Sequence, residues 1–196
     1  MNENENDETD AAILAAAKKI FGERGFHDTV VVDVAEEAGV GKGTVYRRFG
    51  NKSDLFSGLV CEETNHLIER LEEGVDQSTS LEELVQSIIT VHFDLFEESD
   101  EIIRIFVEEG LSNFGEWQED VVERWTEFRS LMAEYFEDDQ IQAQLKDDIT
   151  PEDCSKLIAN LIWGTLRSIV IFEEEEPREV YEDKLADVLL CGVTQS

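Results

Sequence analysis

The chain has 196 residues, 41% of them apolar and 9% aromatic, with 47 Asp and Glu against 16 Lys and Arg and a formal net charge of −31. That length and apolar content are enough for one large or two small folded domains, which excludes wholesale disorder. The bulk charge repels anionic partners, so any nucleic-acid site requires a local exception to the global sign.

Cys61, Cys154 and Cys191 are far apart and odd in number. This argues against a disulfide framework or a CxxC zinc site and fits a reducing, cytoplasmic setting. Residues 1–10 hold five acids and no base, and they read as an acidic flexible tail and not as a signal peptide. The most apolar run, Leu157 to Phe172, contains Asn160, Thr165, Arg167 and Ser168, which makes it too short and too polar for a membrane span.

In chain order, two prolines (Pro151 and Pro177) and a few clustered glycines predict helices joined by short turns, with no strand alternation. The first helix is expected from a Thr9 or Asp10 cap through Ile13, Leu14, Ala17, Ile20 and Phe21 to Gly25. A second follows Thr29 as its cap, buries Val34, Ala35 and Ala38, and stops at Gly39. Across Gly39-Val40-Gly41 a short third helix spans Lys42 to Phe49, with Val45 and Phe49 one turn apart on an inward face. Gly50 ends it, and Asn51 with Asp54 caps a longer fourth helix. Past Gly74, Ser80 with Glu83 forms a capping box for a helix carrying Leu84, Val85, Ile88, His92, Leu95 and Phe96 on one stripe. A short helix is expected from Ile102 to Glu109. A long one should carry Phe114, Trp117, Val121, Trp125, Phe128, Met132 and Tyr135. Thr150-Pro151-Glu152 opens a nearly all-apolar helix to Phe172, and Val180 to Val193 forms the last.

The expected class is therefore all-α with about nine helices. The expected divisions are a tail (1–10), a helix-turn-helix headpiece (11–56), a connecting helix (about 51–73) and a helical C-terminal domain (74–196).

Charge is distributed unevenly over this plan: residues 61–196 hold 36 acids and 9 bases, whereas residues 1–60 hold 11 and 7. From Gly39 to Ser53 there is no acid, yet Lys42, Arg47, Arg48 and Lys52 all occur. The helices on either side of Gly39-Val40-Gly41 have the length and punctuation of a helix-turn-helix, whose second helix offers its N-terminal residues to the major groove. Charge alone leaves an ordinary solvated helix face as the other reading.

From Ala11 to Val60 the chain resembles the TetR family of transcriptional regulators, and its acidity resembles members of haloarchaeal type. The resemblance rests on Ile13-Leu14, on Phe21-Gly22-Glu23-Arg24-Gly25-Phe26, on the run from Asp33 through Gly39-Val40-Gly41-Lys42-Gly43-Thr44-Val45-Tyr46 to Phe49, and on Asn51-Lys52-Ser53-Asp54-Leu55-Phe56. It implies a three-helix DNA-binding headpiece, a connecting fourth helix that acts as a lever, and a divergent helical domain that dimerises and encloses an effector. By position, Lys42, Gly43 and Thr44 would open the recognition helix against bases or phosphates. Tyr46, Lys52 and Thr29 would hold the DNA backbone, and one of Arg47 and Arg48 would read a base while the other holds phosphate. The sequence departs from the family at Val30, where a second Thr is common, and at Val32, where a polar or basic residue often sits. Both changes weaken phosphate anchoring.

In the C-terminal half, Trp117, Trp125 and Phe128 with His92, Phe96 and Trp163 are candidates to line a cavity for an apolar or aromatic effector, the other reading being plain core packing. The last two long helices are the expected dimer interface through Leu157, Leu161, Ile162, Leu166, Ile169, Tyr181, Leu185, Val188 and Leu189. Apolar residues surround more of the penultimate helix than one neighbour within a monomer would cover. No phosphate loop or nucleophile elbow is present, and His66 with Glu62 and Glu69 at i−4 and i+3 is a spacing that a chain so rich in acids produces by coincidence, so neither enzyme activity nor a cofactor or metal is expected. The function expected is a homodimeric, ligand-responsive repressor of a double-stranded DNA operator, with no membrane partner. Two alternatives use the same scaffold: a DNA-binding structural or division-control protein without an effector, and a small-molecule carrier or enzyme.

Overall fold

The computed structural model describes residues 3–75, 80–113 and 118–194. These form ten helices: α1 (Glu3–Asp28), α2 (Val31–Glu37), α3 (Lys42–Phe49), α4 (Lys52–Val75), α5 (Leu81–Glu98), α6 (Asp100–Asn113), α7 (Gln118–Tyr135), α8 (Asp139–Gln142), α9 (Pro151–Phe172) and α10 (Arg178–Val193). The only β pairing among the described residues is an isolated bridge between Leu145 and Thr194. The chain divides into two compact units, one of Met1–Glu63 with Ser99–Val122 and the other of Thr64–Glu98 with Glu123–Ser196. The chain passes between the two units three times, at 63/64, 98/99 and 122/123.

In the first unit, α1 starts at Glu3 and not at the Thr9 or Asp10 cap, so the described part of the expected tail, residues 3–10, is helical. Acids in the first turns of a helix complement its positive end, and Asp10 also gains a partner in α3. Ile13, Ala17, Ile20 and Phe21 face inward as their spacing requires. At Gly25 a φ of 75° and ψ of 174° break the helix. Phe26 then stacks on Phe21 at 5.9 Å, while Phe56 of α4 meets both rings edgewise at 5.2 and 5.5 Å.

The turn between α2 and α3 closes as a Schellman motif. Gly39 has a φ of 67°, its N–H donates to the Glu36 carbonyl, and the Val40 N–H donates to the Ala35 carbonyl. Segment 99–122 joins this unit through a polar cluster. Lys18 Nζ lies 2.8 Å from both Glu63 Oε1 and Ser99 Oγ, and Ser99 Oγ donates to Glu63 Oε2 at 2.6 Å. Glu63 and Ser99 are both buried, so their charge and hydroxyl need these partners.

The second unit packs the C-terminal part of α4 with α5, α7, α9 and α10 around Leu67, Leu71, Ile88, Phe93, Phe128, Met132, Ile158, Ile162, Leu166 and Leu185. Three expected caps are present. Ser80 Oγ accepts from the Glu83 N–H, Thr150 and Asp153 form a reciprocal capping box, and Asn51 with Asp54 does the same at α4. The four-residue α8, capped by Asp138, was not among the expected helices. Arg178 opens α10 and clamps it to α5, reaching Asp94 at 2.7 Å, Glu97 at 2.8 Å and Glu182 at 2.7 Å over the ring of Phe93. α9 extends the expected apolar run back to Pro151, and at that length it is long and apolar enough to cross a membrane by length and composition alone. Its buried positions Cys154, Ile158, Ile162, Leu166 and Val170 nevertheless form part of this unit's core.

Candidate nucleic-acid interface and aromatic site

The candidate DNA face is built on α3. Val45 is its one fully buried residue and pins the helix to the unit, while Lys42, Gly43, Tyr46 and Arg47 are exposed and Thr44 is half-exposed. Gly41 is the N-cap, and the Thr44 N–H donates to its carbonyl at 2.7 Å. A Cβ on Gly43 would meet no atom within 4 Å, so the start of the helix offers an open surface. Lys42 Nζ sits 5.4 Å from the centre of the Tyr46 ring, which holds cation and ring together on one side of the helix. These five residues lie together on the accessible part of α3.

Three others are placed differently. Thr29 is 2% exposed and its hydroxyl donates to the Gly25 carbonyl at 2.7 Å. The N-cap of α2 is Val30, with no side-chain cap bond. The Thr29 side chain therefore secures the end of α1 and does not face phosphate. Lys52 donates to the carbonyls of Phe26, His27 and Thr29 at 2.8, 3.0 and 3.1 Å, with its ammonium 4.7 Å from the Phe26 ring. All three donors of the ammonium are satisfied by carbonyls at the end of α1 and just past it, where a cation is electrostatically favoured. Arg48 is held by both carboxylate oxygens of Asp10, and that hydrogen bond first, then the charges of Asp10 and Asp7, hold it protonated.

Of the two arginines left open by the sequence, Arg47 is thus the one that faces outward. Asp10, expected only as a helix cap or as the end of the tail, is the partner of Arg48. Two further acids are neutralised between helices, Asp33 by Arg24 and Glu37 by Lys19, the latter pair at 2.6 Å.

In the second unit, His92, Phe128, Trp125 and Trp163 form one connected aromatic group. His92 meets Phe128 edgewise at 5.5 Å, Trp125 meets Phe128 at 6.1 Å, and Trp125 meets Trp163 at 4.6 Å. Phe96 is half-buried against the same core, and Trp117 and Phe114 lie outside the described residues. His92 is 2% exposed, and burial pushes its imidazole down to about 4, a hydrogen bond with the Ile88 carbonyl opposing the shift. Its Nδ1 lies 2.7 Å from that carbonyl oxygen. His92 Nε2 and Trp125 Nε1 are buried without a hydrogen-bond partner among the described residues.

The expected dimer face is corrected in detail. Ile162, Leu166, Tyr181, Leu185 and Leu189 are buried within the chain's own core, and Ile169 is half-buried, so burial there needs no second copy. Leu157, Leu161 and Val188 are exposed, together with Ile171 and Phe172, which extend the same side of α9 at helical spacing. Following positions 157, 161, 164, 168 and 172 along the sequence would have found them.

Fold and exposed face together define a helix-turn-helix protein, with its recognition helix in the first unit and a separate helical second unit. Residues 13–59 match the family profile "Bacterial regulatory proteins, tetR family". Over those residues, about a quarter of its length, the chain is similar to the tetR family of regulatory proteins. It is 36% identical over 83 residues to the fatty acid metabolism regulator protein of Bacillus subtilis, a match covering 42% of this chain and 43% of that protein. With the HTH-type transcriptional regulator UidR of Escherichia coli it shares 24% over 161 residues, or 82% of this chain and 81% of UidR. Its fold is similar to the crystal structure of FadR from Bacillus subtilis in complex with stearoyl-CoA, with a TM-score of 0.78 at 22% identity over 93% of this chain and 98% of that one.

Proposed function

We propose that the chain is a ligand-responsive repressor that binds a palindromic operator as a homodimer in the cytoplasm. The observation that carries this reading is the exposed, acid-free start of α3 on a chain of net charge −31. Lys42 and Arg47 supply charge there, Thr44 and Tyr46 supply hydroxyls, and Gly43 permits close approach of the helix to base edges.

A second copy is the natural occupant of the exposed apolar stripe on α9 and α10, where Phe172 is 72% and Val188 61% exposed. Two-fold symmetry would then present two recognition helices to half-sites one helical turn, or a multiple, apart. The aromatic group of the second unit supports an apolar effector, whose preference for one arrangement of the headpieces would shift operator affinity.

Selecting bound fragments from source-genome DNA and measuring their affinity by fluorescence anisotropy tests the reading. A recovered palindrome bound far more tightly than scrambled DNA is expected, and equal binding of both would remove it. For the interface, Leu161→Glu should yield monomers in sedimentation velocity and lose most operator affinity, and an unchanged dimer would remove that face from the assembly. Acids at nearly three times the number of bases fit a protein that works in concentrated salt.

A further inference from the structure

We infer that His92 and Trp125 form a polar recognition point for an apolar effector carrying an uncharged hydroxyl. This rests on the ligand-responsive reading above and names the chemistry of its ligand. A carbonyl oxygen accepts hydrogen bonds and cannot donate them, so the nitrogen 2.7 Å from the Ile88 carbonyl, His92 Nδ1, carries the ring proton. In the neutral ring, His92 Nε2 is then an acceptor that requires a donor. Trp125 Nε1–H is a donor that requires an acceptor.

Both atoms are buried without a partner among the described residues, and His92 is 2% exposed. They come from different helices, α5 and α7, and their rings both lean edgewise on Phe128, which gathers opposite polarities around one apolar ring. A buried polar group left unmatched is costly, so a ligand that matches it is selected strongly over one that does not.

A hydroxyl supplies both functions, its O–H to His92 Nε2 and its oxygen to Trp125 Nε1. A thioester or ester carbonyl satisfies only Trp125. An ionised carboxylate also lacks a donor, faces the lone pair of Nε2, and must lose its hydration to enter. The ligand class differs on this ground from the stearoyl-CoA bound by the Bacillus subtilis FadR structure.

Isothermal titration calorimetry of the full chain with 2-naphthol, 2-methoxynaphthalene and 2-naphthoate tests the assignment. The three share one aromatic frame and differ in whether the substituent donates, only accepts, or carries charge. Wild-type protein should bind 2-naphthol about tenfold or more tightly than either of the others, as expected for one matched hydrogen bond. His92→Phe and Trp125→Phe should each reduce that preference to about threefold or less. Equal affinity for the three probes, the pattern of two nitrogens served by trapped water, overturns the inference. So does the absence of heat with every probe, or a preference that survives both substitutions. Trp125→Phe, which keeps an aromatic ring against Trp163, decides alone if circular dichroism shows that His92→Phe has not folded. Operator anisotropy on the same preparation separates the two readings. Intact operator binding with no hydroxyl preference removes only the recognition point, whereas absent operator binding removes the regulator and leaves the calorimetric comparison to stand by itself.

Discussion

Arg47 and Arg48 are adjacent on α3, yet the helix turns them to different surroundings: Arg47 faces outward, while Arg48 folds back onto both oxygens of Asp10. Removing Arg47 should therefore relax base preference at one operator position by roughly 1–3 kcal/mol, the worth of a bidentate base contact. Arg48→Ala should leave the preference unchanged. Anisotropy titrations against single-base operator variants check both outcomes, and the opposite pattern would reassign the base reader. His92 makes a pH prediction. Its buried ring is held at about 4 against an ordinary 6.5, so the unfolded chain takes up a proton that the folded chain refuses. The stability it contributes is present above pH 6.5 and is lost as pH falls toward 4. Between pH 7 and 5 the wild type should lose about 2 kcal/mol more than His92→Phe in urea denaturation. Parallel losses would show that His92 is not buried in neutral form. Neither result was legible in the sequence, where the two arginines were equivalent and His92 was one residue of an apolar stripe.

Caps made within four residues were readable as sequence: Ser80 with Glu83, Asn51 with Asp54, and Thr150 with Asp153 all form bonds set by chain spacing alone. Contacts between elements were not. Thr29 has the chemistry of an N-cap and the position of one, yet it is buried and its hydroxyl reaches back four residues to the Gly25 carbonyl at the break in α1. Lys52, at the start of α4, ties three carbonyls at the end of α1 and just past it, a role no local pattern announces. Lys52→Met keeps the stem over Phe26 but removes every donor. It should lower the stability of the first unit by about 1.5–3 kcal/mol, as hydrogen bonds from a charged group do. Thermal unfolding without DNA checks this, and an unchanged midpoint combined with weaker DNA binding would return Lys52 to the phosphate role. On α9, the apolar residues announced a helix with more than one buried side but not which side the chain covers for itself. That depends on where α5 and α10 pack, and it left Leu157, Leu161, Ile171 and Phe172 outside.

For the molecule as a whole, the charge of −31 coexists with a DNA face because bases of the headpiece are assigned in pairs: Lys18 to Glu63, Lys19 to Glu37, Arg24 to Asp33 and Arg48 to Asp10. With Lys52 also engaged, Lys42 and Arg47 are the cations that α3 presents outward. Two such cations per headpiece give a dimer a log–log dependence of operator affinity on KCl with a slope of about −4, against about −7 if Arg48 and Lys52 also held phosphate. From 0.1 to 1 M KCl that is about a 10⁴-fold loss of affinity in place of about 10⁷-fold. Folding that is best at about 0.1 M KCl and is lost above it, followed by circular dichroism, would overturn the adaptation to concentrated salt. The sequence by itself determined the helical class, the helix-turn-helix punctuation, the family likeness of residues 13–59 and the acid-free start of α3. Each depends on neighbours within a turn or two, where periodicity and residue chemistry act directly. Tertiary structure alone decided that segment 99–122 joins the headpiece, that Arg47 and not Arg48 faces outward, which side of α9 stays exposed, and that His92 and Trp125 meet at Phe128. Those outcomes are set by partners tens of residues away, whose arrival no local spacing encodes.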